Sequence, residues 1–178
     1  MSSFIGSIIF CLAIFKSKIF CLIKKISEIC GFISKYMLQL TKIFPFETAH
    51  AVFGYEGPCR NIHGHSYELH VTVAATEKTE DYIAPPGFLI DFKDIKRIVK
   101  AEIVDYFDHK LVLSKGYLAA HPEISAHENL IVWDHEPSAE NILIYTRKRL
   151  QIILPEGIVI KSMRLYETRT SYAEWIED

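Results

Sequence analysis

Cysteine is scarce where a fold would need it. Of four in the chain, Cys11, Cys21 and Cys30 fall within the first 36 residues, and only Cys59 lies beyond. One cysteine cannot close an intrachain disulfide, so the body is no disulfide scaffold and reads as a protein of a reducing compartment, the cytoplasm. Long apolar runs are few. The stretch at residues 4–15, FIGSIIFCLAIF, has 12 residues, where a bilayer-spanning helix needs roughly 20. No Lys or Arg precedes it and no A-x-A site follows it, which makes it a poor signal peptide. One-sided charge is also missing. The 20 Lys and Arg stand against 22 Asp and Glu, a net of −2, which speaks against a nucleic-acid partner. Neither an internal repeat nor a low-complexity stretch follows Met37. What remains is 178 residues, 49% hydrophobic and 12% aromatic, enough to bury a core in one domain or two.

Residues 1–36 differ from the rest. They hold five lysines and one acid, Glu28, and lack Pro, Thr, Val, Asp, Asn, Gln, Arg, His and Trp altogether. Translated AT-rich upstream DNA would give that bias, so 1–36 reads as a mis-called or dispensable extension, with Met37 opening the globular sequence. An amphipathic pattern supports a second reading. Phe15, Ile19, Leu22, Ile23, Ile26, Ile29, Cys30 and Ile33 recur at helical spacing, with lysines mostly off that stripe. A basic amphipathic helix can lie on a membrane surface, or it can pack as an ordinary helix.

From residue 37 to 178 the pattern is that of one α+β domain. Residues 38–48 read as a strand, Pro45 marking an edge or bulge. Residues 66–76 alternate, with Tyr67, Leu69, Val71 and Val73 on one face. Asp91 caps a helix whose apolar positions are Phe92, Ile95, Ile98, Val99, Ile103 and Tyr106. Residues 114–137 read as a long polar loop. Ser138 caps a second helix through about Leu150, and 157–167 and 171–177 close the chain as two strands. The order ββααββ implies helices on one face of an antiparallel sheet.

The chemistry concentrates in Cys59-Arg60-Asn61-Ile62-His63-Gly64-His65. His63 and His65 are two apart at the entry of a strand, and period-two geometry turns both imidazoles to one face. Gly64 between them lets a backbone or ligand approach closely. Two such imidazoles are half a zinc site. His50, at the end of the first strand, can supply a third if the two strands pair, and three His with an open position is a catalytic arrangement. Cys59 is either a small buried hydrophobe or a thiol beside a bound cation, acting as base or nucleophile, less readily as a fourth ligand. Asp108-His109 is either a helix-end pair or an Asp-oriented proton relay. Glu140 falls in a first helical turn, where a carboxylate is favoured in any case. Glu167 ends an apolar strand, either as a surface acid or as a bidentate partner for a flat N–C–N edge such as that of a pterin or guanine. His70, His121, His127 and His135 are assigned to surface or core.

Taken in order, Phe46-x-x-x-His50, Cys59-x-x-x-His63-Gly64-His65, Asp91-Phe92, Asp108-His109, Pro137-Ser138-x-Glu140-Asn141 and Glu167-Thr168-x-Thr170 resemble the 6-pyruvoyl-tetrahydropterin synthase superfamily. Within it they are most similar to the 6-carboxy-tetrahydropterin synthase branch of queuosine biosynthesis. The likeness spans about Met37 to Asp178; residues 1–36 have no counterpart in it. It implies the tunnelling fold, a four-stranded antiparallel sheet with two helices on one face, assembled into a cytoplasmic homohexamer with sites between subunits. It implies that His50, His63 and His65 bind zinc, that Cys59 is the catalytic base, that Asp108 and His109 form the relay, and that Glu167, with Glu140 and Thr168, holds the pterin. Cys59 four residues before His63 matches the carboxy-forming branch, where pyruvoyl-forming enzymes usually have a longer gap. The implied substrate is 7,8-dihydroneopterin triphosphate, with Arg60, Lys110 and Arg169 as candidate cations for the triphosphate. A pyruvoyl-forming synthase and a zinc- or pterin-binding protein without turnover are the competing readings.

Overall fold

The two strands read at 38–48 and 66–76 set the fold. In a computed structural model, which describes residues 38–77 and 81–177, β1 (Gln39–His50) and β2 (His63–Ala75) pair antiparallel along their whole length. Gln39 lies opposite Ala74 and His50 opposite His63. Phe44 and Phe46 of β1 and Tyr67, Leu69, Val71 and Val73 of β2 turn inward and are buried, while Pro45 and Glu68 between them stay exposed.

The sheet has six strands, not four. The order is β4-β3-β1-β2-β5-β6, with β3 (Lys110–Ser114), β4 (Leu130–Trp133), β5 (Ile158–Thr168) and β6 (Ser171–Ile176). The expected antiparallel four are present as β1-β2-β5-β6. Two short strands extend them, β3 parallel to β1 and β4 parallel to β3. Part of the expected loop at 114–137 is therefore structured: besides β4 it holds α2 (Lys115–Ala120) and a 3-10 turn at Pro122–Ala126. The runs KLVLS and LIVW are too short to show a period, and His and Pro around them read as loop. β3 pairs with β1 only from Thr48 to His50. Pro45 therefore has no β3 neighbour, and its missing N–H leaves no gap on that flank.

The helices cover the inner face. Asp91 caps α1 (Phe92–Val99), its carboxylate accepting from the Lys93 N–H at 2.7 Å. Ile95, Val99, Ile103 and Phe107 are all fully buried. A four-residue spacing drifts around an ideal 3.6-residue helix, and a π turn at Lys100–Val104 followed by an α turn at Asp105–Phe107 keeps the stripe facing inward. That one-residue slip buries Phe107 where the sequence pattern pointed to Tyr106; Phe92, at the first position of the helix and ahead of the slip, is exposed. Ser138 caps α3 (Ala139–Ile153) by accepting from the Asn141 N–H. Ile142, Leu143 and Leu150 of α3 join α1 and the inner strand residues in one core, where the Phe46 ring stacks on those of Tyr67 and Phe107 at 5.4 and 5.8 Å. Leu69 lies at its centre, fully buried between Phe44 and Leu165 on the flanking strands. Leu69→Ala is expected to cost about 2–5 kcal/mol, read as a lower denaturation midpoint at unchanged slope. A loss well under 1 kcal/mol would remove Leu69 from the core.

This description concerns the unit made of Leu38–Glu77 and Ile83–Asp178. The readings of residues 1–36 lie outside the described residues. Among those described, no helix is long and apolar enough to cross a membrane.

Candidate active site

Strand parity brings three imidazoles together. β2 begins at His63, earlier than its apolar alternation indicates, so His63 and His65 continue the inward row of Tyr67 and Leu69. His50 is the last residue of β1 and the direct partner of His63. The ring centroids are 4.6 Å apart for His50–His63, 4.9 Å for His63–His65 and 5.3 Å for His50–His65. One nitrogen from each lies within 4.8 Å of the other two. Tetrahedral zinc at about 2.0–2.1 Å per bond wants nitrogens about 3.3 Å apart, within reach of small side-chain rotations.

The hydrogen bonds aim these nitrogens. His50 donates its Nδ1–H to the carbonyl of Pro137 at 2.5 Å, and His63 donates its Nδ1–H to the carbonyl of Asn61 at 2.8 Å. Each bond aims Nε2 at the cluster, where its lone pair would be available to a metal, the usual outer-shell device. His65 Nε2 is buried and makes no hydrogen bond. A buried nitrogen without a hydrogen bond, beside two oriented imidazoles, fits a metal ion. The all-imidazole donor set suits zinc, and three donors leave a position open for substrate. Gly64 is not forced by space: a Cβ there would sit 3.5 Å from the Thr48 carbonyl oxygen, in ordinary contact.

Glu167 closes one side. The β5–β6 register shifts between Tyr166 and Thr168, so Glu167 has no opposing residue, a bulge that re-aims its side chain. Its Oε1 lies 3.3 Å from His50 Nε2 and 3.4 Å from His65 Nε2. The Tyr67 hydroxyl donates to the same oxygen at 3.0 Å. The His50 contact, with help from Tyr67 and His65 and against the cost of partial burial, lowers the carboxyl to about 2. It is an anion throughout the neutral range. Burial and the neighbouring carboxylate push the Tyr67 hydroxyl far up, so it stays a donor.

A cavity of about 420 Å³ joins these groups. His50, Cys59, Glu140 and Glu167 all line it, with Tyr55 and Ser138 among the remaining wall. Cys59 is exposed and free, not a buried hydrophobe. It sits in a 3-10 turn at Pro58–Arg60, tied to the end of β1 by the Val52 N–H donating to its carbonyl at 2.9 Å.

Asp108 and His109 do not join this cavity. His109 lines a separate one of about 500 Å³ with Glu47, His65 and Lys110. The helix ends at Phe107, and His109 takes a left-handed backbone, φ 59°, an uncommon state for a residue with a side chain. The pair follows directly on the helix end, with the Asp108 N–H still bonded to the Val104 carbonyl. Asp108 accepts from the Glu47 N–H at 2.9 Å and lies 3.1 Å from His109 Nδ1; the backbone donor first, then His109, hold its carboxyl below the usual range. Thr168 is exposed, its hydroxyl beside that of Thr170 at 3.4 Å, and it lines neither cavity. Lys110 stands with His109, while Arg60 and Arg169 are exposed outside both cavities. The sequence reading missed Tyr67, which looked like core alternation, and the Pro137 carbonyl, which has no side-chain signature.

The 6-pyruvoyl tetrahydropterin synthase family model matches residues 39–178. A 6-carboxy-5,6,7,8-tetrahydropterin synthase of Haemophilus influenzae is 32% identical over 145 residues, 79% of this chain and 100% of that protein. One from Rickettsia typhi is 30% identical over 142 residues, 78% of this chain and 99% of its own length. Among solved structures, the 6-pyruvoyl tetrahydropterin synthase of Caenorhabditis elegans superposes with a TM-score of 0.60 at 17% identity, covering 81% of this chain and 98% of that one. At that identity the likeness speaks for the fold alone.

Proposed function

The chain belongs to the 6-pyruvoyl tetrahydropterin synthase family, and from that premise we propose that it is a zinc-dependent 6-carboxy-5,6,7,8-tetrahydropterin synthase. It would convert 7,8-dihydroneopterin triphosphate and one water to 6-carboxytetrahydropterin, acetaldehyde and triphosphate in queuosine biosynthesis. The observation that carries the reading is one cavity wall holding His50, Cys59, Glu140 and Glu167, with His63 and His65 beside His50. The branch rests on Cys59 standing four residues before His63 and on the names of the curated relatives.

His50, His63 and His65 would hold the zinc, which supplies Lewis acidity toward a substrate hydroxyl. Glu167, anionic and fixed by Tyr67, takes the N–H donors of the flat pterin edge in a charge-assisted pair. Glu140, at the first turn of α3, faces the same cavity as a second polar wall. Cys59 removes a proton from the substrate side chain as general base. His109, oriented by Asp108, is the partner acid and base. Since His109 opens to a different cavity from Cys59, the relay reaches a given cysteine from a neighbouring copy in a homo-oligomer, a hexamer by family resemblance. The reaction belongs in the cytoplasm, where the free Cys59 thiol stays reduced.

Glu167→Gln tests the anchoring role. It keeps the shape and removes the charge. Substrate affinity is expected to fall about 10–100-fold, the worth of a charge-assisted bond left half-made. An unaltered KM would refute the role.

A further inference from the structure

The turn that enters α3 reaches back to the histidine cluster. Pro137 is buried, and its carbonyl accepts the Nδ1–H of His50. That carbonyl is pinned from both sides of its residue. On one side, the Glu136 carbonyl accepts from the Asn141 side-chain amide at 2.8 Å, and the Glu136 carboxylate accepts from the Phe53 N–H at 2.6 Å. On the other, the Ser138 hydroxyl accepts from the Asn141 N–H. Asn141 thus grips residues 136 and 138 together, one with its side chain and one with its backbone.

We propose that Asn141 is a positioning residue for His50. By holding the Glu136–Ser138 turn it places the Pro137 carbonyl to take the Nδ1 proton of His50, and this keeps the Nε2 lone pair on the cluster. The inference rests on the metal-site reading above, and it assigns a function to a residue that touches neither metal nor substrate. A plain helix-cap role would need only the Asn141 backbone N–H, which any residue supplies. The side-chain amide acts on a carbonyl outside the helix.

The test is zinc affinity by chelator competition on the full chain, wild type against Asn141→Ala. Asn141→Asp serves as a second variant that keeps the shape and loses the donor, to be read if the alanine variant does not fold. Loss of an outer-shell partner is expected to weaken zinc about 10–100-fold. The second readout is the ring N–H spectrum of the zinc-loaded, ¹⁵N-histidine-labelled protein. The His50 Nδ1–H signal is expected to shift in the variant, while that of His63, bonded to Asn61 instead, stays in place. An unchanged affinity, a His50 signal that does not move, or two signals that move together would overturn the proposal. If the wild type binds no zinc, the metal site and this proposal fall together. If it binds zinc and the variant behaves as expected but no pterin is turned over, only the substrate reading falls.

Discussion

Cys59→Ala is expected to lower turnover about 10²–10⁴-fold, the range for losing a general base, with zinc content and melting temperature unchanged. Its position separates chemistry from stability. Cys59 is exposed, so removing the sulfur leaves no cavity in the core. The turn that carries it is held by backbone, Val52 N–H to Cys59 carbonyl and Asn61 N–H to Pro58 carbonyl, which alanine keeps intact. Single-turnover kinetics with 7,8-dihydroneopterin triphosphate read the effect on the chemical step. A variant that keeps wild-type turnover would remove Cys59 from the mechanism, and one that loses zinc would make it a ligand.

His63→Ala is expected to strip the metal. Removing an outer-shell partner already costs 10–100-fold in affinity, so losing one of three ligands should exceed about 100-fold. The zinc content after dialysis then falls from stoichiometric to near zero. His63 is a cleaner choice than His50. His50 is 1% exposed, and its removal would open a hole and strand the Pro137 carbonyl. His63 is half-buried at the mouth of β2, so the fold should survive and the metal measurement stand alone. Unchanged zinc content would sink the ligand assignment.

The histidine cluster was legible in the sequence because its geometry is local. H-x-H at a strand entry sets two side chains on one face, and a strand ending in His50 needs only antiparallel pairing to add a third. Glu167 was legible as a strand-end acid, though not the bulge that aims it. The inner row of β2 and both long helix caps, Asp91 and Ser138, followed from alternation and from polar side chains at helix starts, while 38–48 was legible as a strand but not which of its side chains turn inward. What the sequence hid is what depends on distant partners. β3 and β4 are runs of five and four residues that find their edge only once β1 is laid down. The π turn in the first helix shows only as a four-residue spacing. The separation of His109 from Cys59 follows from how Asp108 docks on Glu47, a contact across 61 positions that no motif records.

The central claim is the reaction. The most direct test loads the full chain with zinc, adds 7,8-dihydroneopterin triphosphate and identifies the products by mass spectrometry. The account predicts 6-carboxytetrahydropterin together with acetaldehyde. A product that keeps all three side-chain carbons would move the chain to pyruvoyl-type chemistry on the same site. Unconsumed substrate would contradict the enzyme assignment itself.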